Sequence, residues 1–217
     1  MTPFHKKIKG MTLFDIHTHN NNADGVTAIF NSTTYVGNRN ISIGIHPWRI
    51  TDNWEVDFAD IAQEAQKENI VAIGECGIDK SNSTADIEEQ LTIFKAHALL
   101  AEKVKKPLII HCVKGFDEII AIKKEITPQQ AWIIHGFRGK PQQAEQLIKA
   151  GFYISLGEKF NNDTLKAIPL DRLFIESDES KTTIDDIYSL IAKTKGCAIE
   201  ELASHIMQNA ENCNIRL

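Results

Sequence analysis

Long hydrophobic runs are missing from this chain of 217 residues. No stretch of about 18 consecutive apolar residues occurs, and a membrane-spanning helix needs roughly that length. The opening segment, MTPFHKKIKG, is basic, but no apolar stretch follows it, so we expect no secretory signal peptide. The sequence therefore predicts a protein without a membrane partner.

Cysteine is scarce as well. The four cysteines are Cys76, Cys112, Cys197 and Cys213, and no two of them form a C-x-x-C pair. A chain of this length can bury a full hydrophobic core without a disulfide framework. We therefore expect the protein to work in a reducing compartment, the cytoplasm.

An excess of positive charge is also absent. Lysine and arginine number 24 against 29 aspartates and glutamates, which gives a formal net charge of −5. This balance argues against a protein that coats nucleic acid by charge alone, but not against an enzyme that meets a phosphate through metal ions. The apolar and charged fractions, 42% and 24%, are near the averages of globular domains, which argues against a disordered or fibrous chain.

Short apolar runs alternate with longer segments of helical spacing, and this alternation is typical of parallel α/β architecture. Eight strands are predicted, at residues 12–18, 26–33, 41–46, 70–76, 107–113, 131–136, 151–156 and 171–177. Helices are predicted at residues 55–68, 86–105, 115–126, 141–150, 162–167, 184–195 and 199–212.

The first two strands are followed only by NNNADG and TTYVGNRN, segments too short for a crossover helix. We therefore predict an α/β fold, a (β/α)8 TIM barrel with reduced helices after the first two strands. Such barrels usually take about 250 residues and at least about 200. An open, doubly wound sheet is the alternative. No linker rich in Pro, Gly or Ser divides the chain, so we expect residues 1–217 to form a single barrel domain.

Metal-ligand side chains gather at the C-terminal ends of the predicted strands, the face where barrel enzymes place their chemistry. They are His17 and His19 on strand one, His46 on three, Glu75 on four, His111 on five, His135 on six, and Glu176 and Asp178 on eight. Residues two apart on a strand share a face, so one layer of the barrel interior would hold four imidazoles and at least two carboxylates. Burying these groups unpaired would be costly, and divalent cations would satisfy them.

Each residue taken alone has a simpler interpretation. An H-x-H pair is usually incidental, and a histidine that ends an apolar strand is often a hydrogen-bonded core residue. Glu75 could cap a loop, Asp178 could lie in solvent, and His46 could touch substrate or merely order its loop. The metal-site hypothesis depends on coincidence, because six ligand-type residues meet at one end of five strands, each in the right phase.

Six segments carry specific motifs in chain order: FDIHTHN, IGIHPW, AIGECGID, IIHGFRG, GFYISLG and RLFIESD. Together they resemble the motifs D-x-H-x-H, GxHP, GEIGLD, HCFSG, GYYIS and RLLLETD of the TatD family of metal-dependent hydrolases, within the amidohydrolase-like barrels. The resemblance covers nearly the whole chain. Two departures are a shorter region between His19 and Gly44, and ESDES in place of the family's ETDAP.

The resemblance implies a site with two divalent metal ions, which could be Zn, Mn, Mg, Ni or Fe. In this hypothesis His17, His19 and Asp178 hold one ion, His111 and His135 hold the other, and Glu75 bridges them. Asp178 or Glu176 would orient the attacking water and accept its proton. Asp15 is a candidate for orienting a ligating imidazole.

The family further implies phosphodiester cleavage, with DNA or another phosphate ester as the substrate. The candidate substrate-binding residues are His46, Lys114 and Arg138, each of which ends or follows a predicted strand. Arg138 is favoured because a guanidinium is a forked phosphate donor. Two alternatives are a hydrolase of the same site that acts on an ester, amide or lactone, and a non-catalytic metal-binding protein.

Overall fold

The computed structural model describes residues 12–20, 26–32 and 39–217. Eight strands lie at Leu13–Thr18 (β1), Val26–Asn31 (β2), Ile41–Ile43 (β3), Ile70–Asp79 (β4), Leu108–Val113 (β5), Trp132–Ile134 (β6), Tyr153–Leu156 (β7) and Leu173–Ile175 (β8). Each strand pairs in parallel with the next, so the order in the sheet follows the chain. The predicted (β/α)8 barrel is confirmed. The open sheet is wrong, because a doubly wound sheet reverses its strand order partway along the chain.

The first and last strands meet and close the barrel. Thr18 and Asp178 form a parallel bridge. The backbone N–H of Asp178 donates to the carbonyl of His17 at 3.0 Å, and the N–H of His19 donates to the carbonyl of Asp178 at 3.1 Å. The closing contact therefore brings the C-terminal ends of β1 and β8 together, along with the polar side chains that they carry.

Helices follow the strands from β3 onward. In the described residues they are Trp54–Glu64 (α1), Ile87–Val104 (α2), Phe116–Ile126 (α3), Pro141–Lys149 (α4), Asn162–Ala167 (α5), Ile184–Lys195 (α6) and Ile199–Asn212 (α7). Most of the two connections after β1 and β2 falls in residues 21–25 and 33–38, so the predicted absence of crossover helices there lies outside the described residues. No described helix has the length and apolarity that crossing a membrane would need.

Helix α2 illustrates how local sequence builds the outer ring. The side chain of Asp86 accepts a hydrogen bond from the backbone N–H of Glu89 at 2.9 Å and caps the N-terminus, as short polar side chains do at that position. Phe94 and Ala98, two members of its apolar stripe, are fully buried. Lys105 takes the left-handed conformation after the last turn, and Pro107 prevents the helix from continuing.

Strand β4 is longer than predicted and runs through Asp79 rather than ending at residue 76. All ten of its residues are buried. Its pairing shifts register between Ile73 and Cys76, which is the mark of a bulge. Bulges redirect the side chains that follow them, and this one lies at Glu75.

Candidate metal centre

The carboxylate of Glu75 is the point on which the strand ends converge. Its Oε1 lies 2.7 Å from Nε2 of His135, 3.0 Å from Nδ1 of His111 and 3.2 Å from Nε2 of His46. Histidines on β5, directly after β6 and in the loop after β3 therefore face one oxygen atom. The sequence analysis placed His111 and His135 at this face. It left open whether His46 contacts the substrate or only orders its loop.

The second oxygen of Glu75 faces the other side of the barrel. Oε2 lies 3.4 Å from Nε2 of His17 and 3.5 Å from Nε2 of His19. The side-chain amide of Asn31, at the end of β2, donates to Oε2 at 3.1 Å. The same Asn31 accepts a hydrogen bond from the backbone N–H of Glu75 at 3.0 Å, so it holds both ends of the residue.

Glycines on β4 allow Glu75 to reach this position. Gly74 has a φ of +133°, and a Cβ atom there would lie 2.3 Å from the carbonyl oxygen of Ile109. At Gly77 a Cβ would lie 1.9 Å from the carbonyl oxygen of His111. Because only glycine lacks that atom, β4 can approach β5 closely, and Glu75 lies against His111.

Barrel closure brings Asp178 to the two histidines of β1. Its Oδ1 lies 3.7 Å from Nε2 of His17 and 3.7 Å from Nε2 of His19. Asp178 has a φ of +51°, a left-handed conformation that aspartate tolerates better than most residues. Its backbone is fixed by the bonds to β1.

The charges in the cluster support one another. Burial alone would raise the pKa of the Glu75 carboxyl, but the charge of His135 and hydrogen bonds from His111 and His135 hold that pKa well below its ordinary value. Burial alone would lower the pKa of His135, but Glu75 and Glu176 raise it well above the usual value. The hydrogen bond to Glu75 raises the pKa of His19, whereas burial lowers that of His46.

The donor set fits divalent cations. Both ring nitrogens of the buried His17, and Nδ1 of His135, have no hydrogen-bond partner within the described ranges. Groups of three residues have ligand atoms within 4.8 Å of one another: His17, His19 and Glu75; His17, His135 and Asp178; and His46, Glu75 and His111. Imidazole nitrogen with carboxylate oxygen suits zinc and other divalent first-row metals. Every metal-ligand candidate from the sequence belongs to at least one of these groups, and so does His46.

Glu176 lies beside the cluster rather than in its centre. It is almost completely buried, and its Oε1 accepts a hydrogen bond from the backbone N–H of Gly136 at 2.6 Å. The same oxygen lies 3.5 Å from Nδ1 of His135. This position suits a residue that orients His135.

Asp15, a candidate for orienting a ligating imidazole, contacts Ser177 on the segment after β8. It accepts hydrogen bonds from the backbone N–H and the hydroxyl of Ser177, at 3.0 and 2.6 Å. Burial raises its pKa to about 7. Through these bonds Asp15 holds the segment between Glu176 and Asp178 against β1.

Asp79 is a residue of this face that the sequence analysis missed. It is fully buried, and its Oδ2 lies 3.2 Å from Nε2 of His111 and 2.7 Å from Nε1 of Trp48. Burial alone would raise its pKa, but hydrogen bonds from Ser81, Trp48 and Asn82 hold the pKa at about 2. The sequence carried a signal for Asp79, because residues 75, 77 and 79 follow the two-residue period of a strand and so share a face with Glu75.

Asn31 was also missed by the sequence analysis, and its position at the end of β2 was the available signal.

Two predicted substrate-binding residues differ in where the structure places them. Arg138 is exposed and lines a cavity with Gly136, Gly157, Glu176 and Asp178. Lys114 is exposed after β5, and it lines neither this cavity nor the one around Glu75.

An eight-stranded parallel barrel whose C-terminal end carries clustered imidazoles and carboxylates defines the class of metal-dependent hydrolases. A family model described as TatD related DNase matches residues 5–214. The chain belongs to the TatD family and is a metal-dependent hydrolase. The predictions of family, fold class and hydrolase class are confirmed.

Individual relatives agree with this assignment. An uncharacterized metal-dependent hydrolase of Buchnera aphidicola is 34% identical over 152 residues, which span 65% of this chain and 57% of that protein. A Pantoea vagans protein named 3'-5' ssDNA/RNA exonuclease TatD is 27% identical over 194 residues, 77% of this chain and 74% of that protein. The crystal structure of YJJV, a TatD homologue of Escherichia coli K12, superposes with a TM-score of 0.78 at 18% identity, covering 93% of this chain and 97% of that one.

Proposed function

We propose that this hydrolase cleaves phosphodiester bonds in DNA with the help of two divalent metal ions. The observation that carries the proposal is the convergence of five imidazoles and Asn31 on the two oxygens of Glu75. Relatives named as nucleases support the choice of substrate.

The side chains suggest how the ions would be held. His17, His19 and Asp178 form one side of the cluster, and His111 and His135 form the other, with one oxygen of Glu75 turned to each. When bound, the ions supply a nucleophilic water at neutral pH and neutralise charge on the phosphodiester. Among the candidate ions Zn, Mn, Mg, Ni and Fe, imidazole ligands suit Zn, Fe and Ni best, and Mg and Mn prefer oxygen ligands.

Proton transfer is assigned to Asp178. Its side chain is 31% exposed at the mouth of the site and lies at 3.7 Å from both β1 histidines, so it can meet a water and accept a proton from it. Glu176 is buried and bonded to the backbone N–H of Gly136. We therefore assign Glu176 to the orientation of His135, and Asp178 to the reaction itself.

Substrate binding is assigned to Arg138. His46 lies among the candidate metal ligands, with its Nε2 3.2 Å from Oε1 of Glu75. The exposed guanidinium of Arg138 lines the cavity that also contains Asp178, so a phosphate held near Asp178 lies within the region it can reach. Lys114 is exposed at the end of β5 and is a more distant contact for a longer strand.

The same cavity favours a second candidate. Glu158 and Glu179 line it as well, and their negative charge opposes a polyanion while tolerating a neutral substrate. A hydrolase of the same site that acts on an ester, amide or lactone is therefore the alternative function, because the site chemistry serves phosphoryl and acyl transfer alike.

We also propose that residues 1–217 form one domain that works in the cytoplasm. The eight strands of one sheet span residues 13 to 175, which supports a single barrel. The four cysteines are free thiols, and a reducing compartment suits them.

One experiment separates the two candidate functions. The purified protein is analysed for its metal content, stripped with chelator and resupplied with each metal in turn. Each form is assayed on labelled single-stranded and duplex DNA, and in parallel on a panel of esters, amides and lactones. Metal-dependent DNA cleavage supports the nuclease, whereas turnover of the neutral panel without DNA cleavage establishes the alternative.

A further inference from the structure

Trp48 is an apolar side chain left in water at the rim of the site. Its exposed fraction is 55%. In the described ranges it is the single aromatic residue among the large hydrophobic side chains that are exposed. Single exposed hydrophobic residues are common on proteins, so exposure by itself carries no function. Two further features distinguish Trp48.

The first feature is that the ring is fixed. Its indole N–H donates to Oδ2 of Asp79 at 2.7 Å, and Asp79 is itself held by the backbone N–H groups of Ser81 and Asn82. The backbone is fixed too, because Trp48 lies in a short helical turn, Pro47–Arg49, capped by the His46 side chain. A ring that is ordered before binding loses little conformational entropy when a ligand covers it.

The second feature is the distance from the reacting centre. The Trp48 ring lies edge-on to two imidazoles. Its centroid is 4.8 Å from that of His46 and 5.8 Å from that of His111. It lines the same cavity as Glu75, His111 and Asp178. A planar group attached to a phosphate that bound metal ions would hold beside Glu75 would therefore lie near this ring.

We propose that Trp48 is a stacking platform for the nucleobase next to the scissile phosphate of a single-stranded nucleic acid. This inference rests on the proposed phosphodiesterase function and names a residue that would bind the substrate. Base stacking on an aromatic side chain changes affinity by about fivefold to about a hundredfold and tolerates any base sequence. In a duplex both faces of each internal base are already covered, so only an unstacked base offers a face to the indole.

The test uses labelled single-stranded oligonucleotides in which one abasic site is moved along the strand. The parent should show a KM about tenfold higher when the missing base is the one beside the cleaved bond. Trp48→Ala should show that higher KM on the intact strand and lose its sensitivity to the abasic site. Trp48→Phe, which keeps a ring and loses the N–H, should retain most of the discrimination. Leu99→Ala, at an exposed residue on α2, should match the parent.

Two results would overturn the proposal: a parent that does not distinguish intact from abasic strands, or a Trp48→Ala variant that discriminates as the parent does. Metal content is measured in each variant, and if Trp48→Ala loses metal, the binding of intact and abasic strands to the parent and to Trp48→Ala in chelator decides. A parent that cleaves no DNA with any metal contradicts the proposed function instead. Equilibrium binding of the same oligonucleotides in chelator then tests stacking alone: tighter binding of the intact strand supports it, and equal or absent binding overturns it.

Discussion

The carboxylate of Asp79 and the imidazole of His111 are joined at 3.2 Å between Oδ2 and Nε2. Because hydrogen bonds hold the pKa of Asp79 at about 2, this carboxylate is ionised at neutral pH and can only accept. With a metal ion bound, a proton on Nε2 donated to Asp79 would leave Nδ1, which lies 3.0 Å from Oε1 of Glu75, as the nitrogen that ligates the ion. A second partner that fixes the tautomer of a ligating histidine is a common feature of metal centres.

Replacing this carboxylate should weaken metal binding without unfolding the barrel. Asp79→Asn presents an amide to Nε2 and no longer favours the proton there, so we expect the affinity for at least one ion to fall by about 10- to 100-fold. Competition with a chromogenic chelator measures the change. Asp171→Asn, an exposed residue before β8, is the control. Parental metal affinity in Asp79→Asn would refute the role of the tautomer.

Glu75→Gln tests the centre of the cluster. The change removes the charge that faces five imidazoles and keeps the size of the side chain. We expect the variant to lose at least one metal ion and most activity, measured by elemental analysis and turnover. Glu68→Gln, exposed before β4, should retain both. Two tightly held ions with normal turnover in Glu75→Gln would exclude Glu75 as the bridging ligand.

Asp178 and Asp171 lie at opposite ends of the β8 segment, which makes them a matched pair. Asp178→Asn should leave the melting temperature nearly unchanged and lower kcat by about 10²- to 10⁴-fold, the usual contribution of a general base. Asp171→Asn should keep its activity, because residues at the N-terminal face of a barrel serve stability. If Asp171→Asn were folded but inactive, the active face would lie at the N-terminal ends of the strands, which contradicts the assignment.

Arg138→Ala should raise KM for DNA while the metal content stays at its parental value. Loss of one charge-assisted hydrogen bond predicts an increase of about 10-fold to 100-fold. The slope of log affinity against log salt should fall by about 0.7 for one phosphate contact on a single strand. Lys149→Ala, at the exposed end of α4, controls for net charge. Identical KM values for Arg138→Ala and the parent on DNA would favour the non-phosphate hydrolase.

His97 should make the stability of the metal-free protein depend on pH. It is fully buried on α2, accepts a hydrogen bond from the backbone N–H of Ile45 at 3.0 Å and donates to the carbonyl of Ile93 at 2.8 Å. Burial lowers its pKa from 6.5 to about 4. Between those values the unfolded chain binds a proton that the folded chain does not, so the free energy of unfolding falls as pH falls from about 6.5 to about 4.

The contribution of one such proton approaches about 1.4 kcal/mol per pH unit. Urea unfolding in chelator at several pH values should show a shallower dependence in His97→Gln than in the parent. His205→Gln, at an exposed position of α7, should keep the parental dependence. If His97→Gln keeps it as well, the buried imidazole is not the group responsible.

The amino-acid pattern alone predicted which side chains would meet at one end of the barrel. Parallel strands put their C-terminal ends on one face of a barrel, and alternation along each strand selects the inward side chains. These two rules brought His17, His19, Glu75, His111, His135 and Asp178 together without coordinates, and the structure places ligand atoms of every one of them in groups that span no more than 4.8 Å.

The tertiary structure decided which side chains pair with one another, because alternation along a strand does not describe such pairing. The register shift between Ile73 and Cys76 and the left-handed backbone of Asp178 break the two-residue period where the site is built. The strand pattern therefore could not say which oxygen meets which nitrogen. Asn31 bonds to Glu75 across 44 residues of sequence, and Trp48 bonds to Asp79 across 31. Such partners are chosen by barrel closure and strand register. Composition and spacing therefore determined the fold and the types of side chain at the candidate site, and long-range packing determined how those side chains pair.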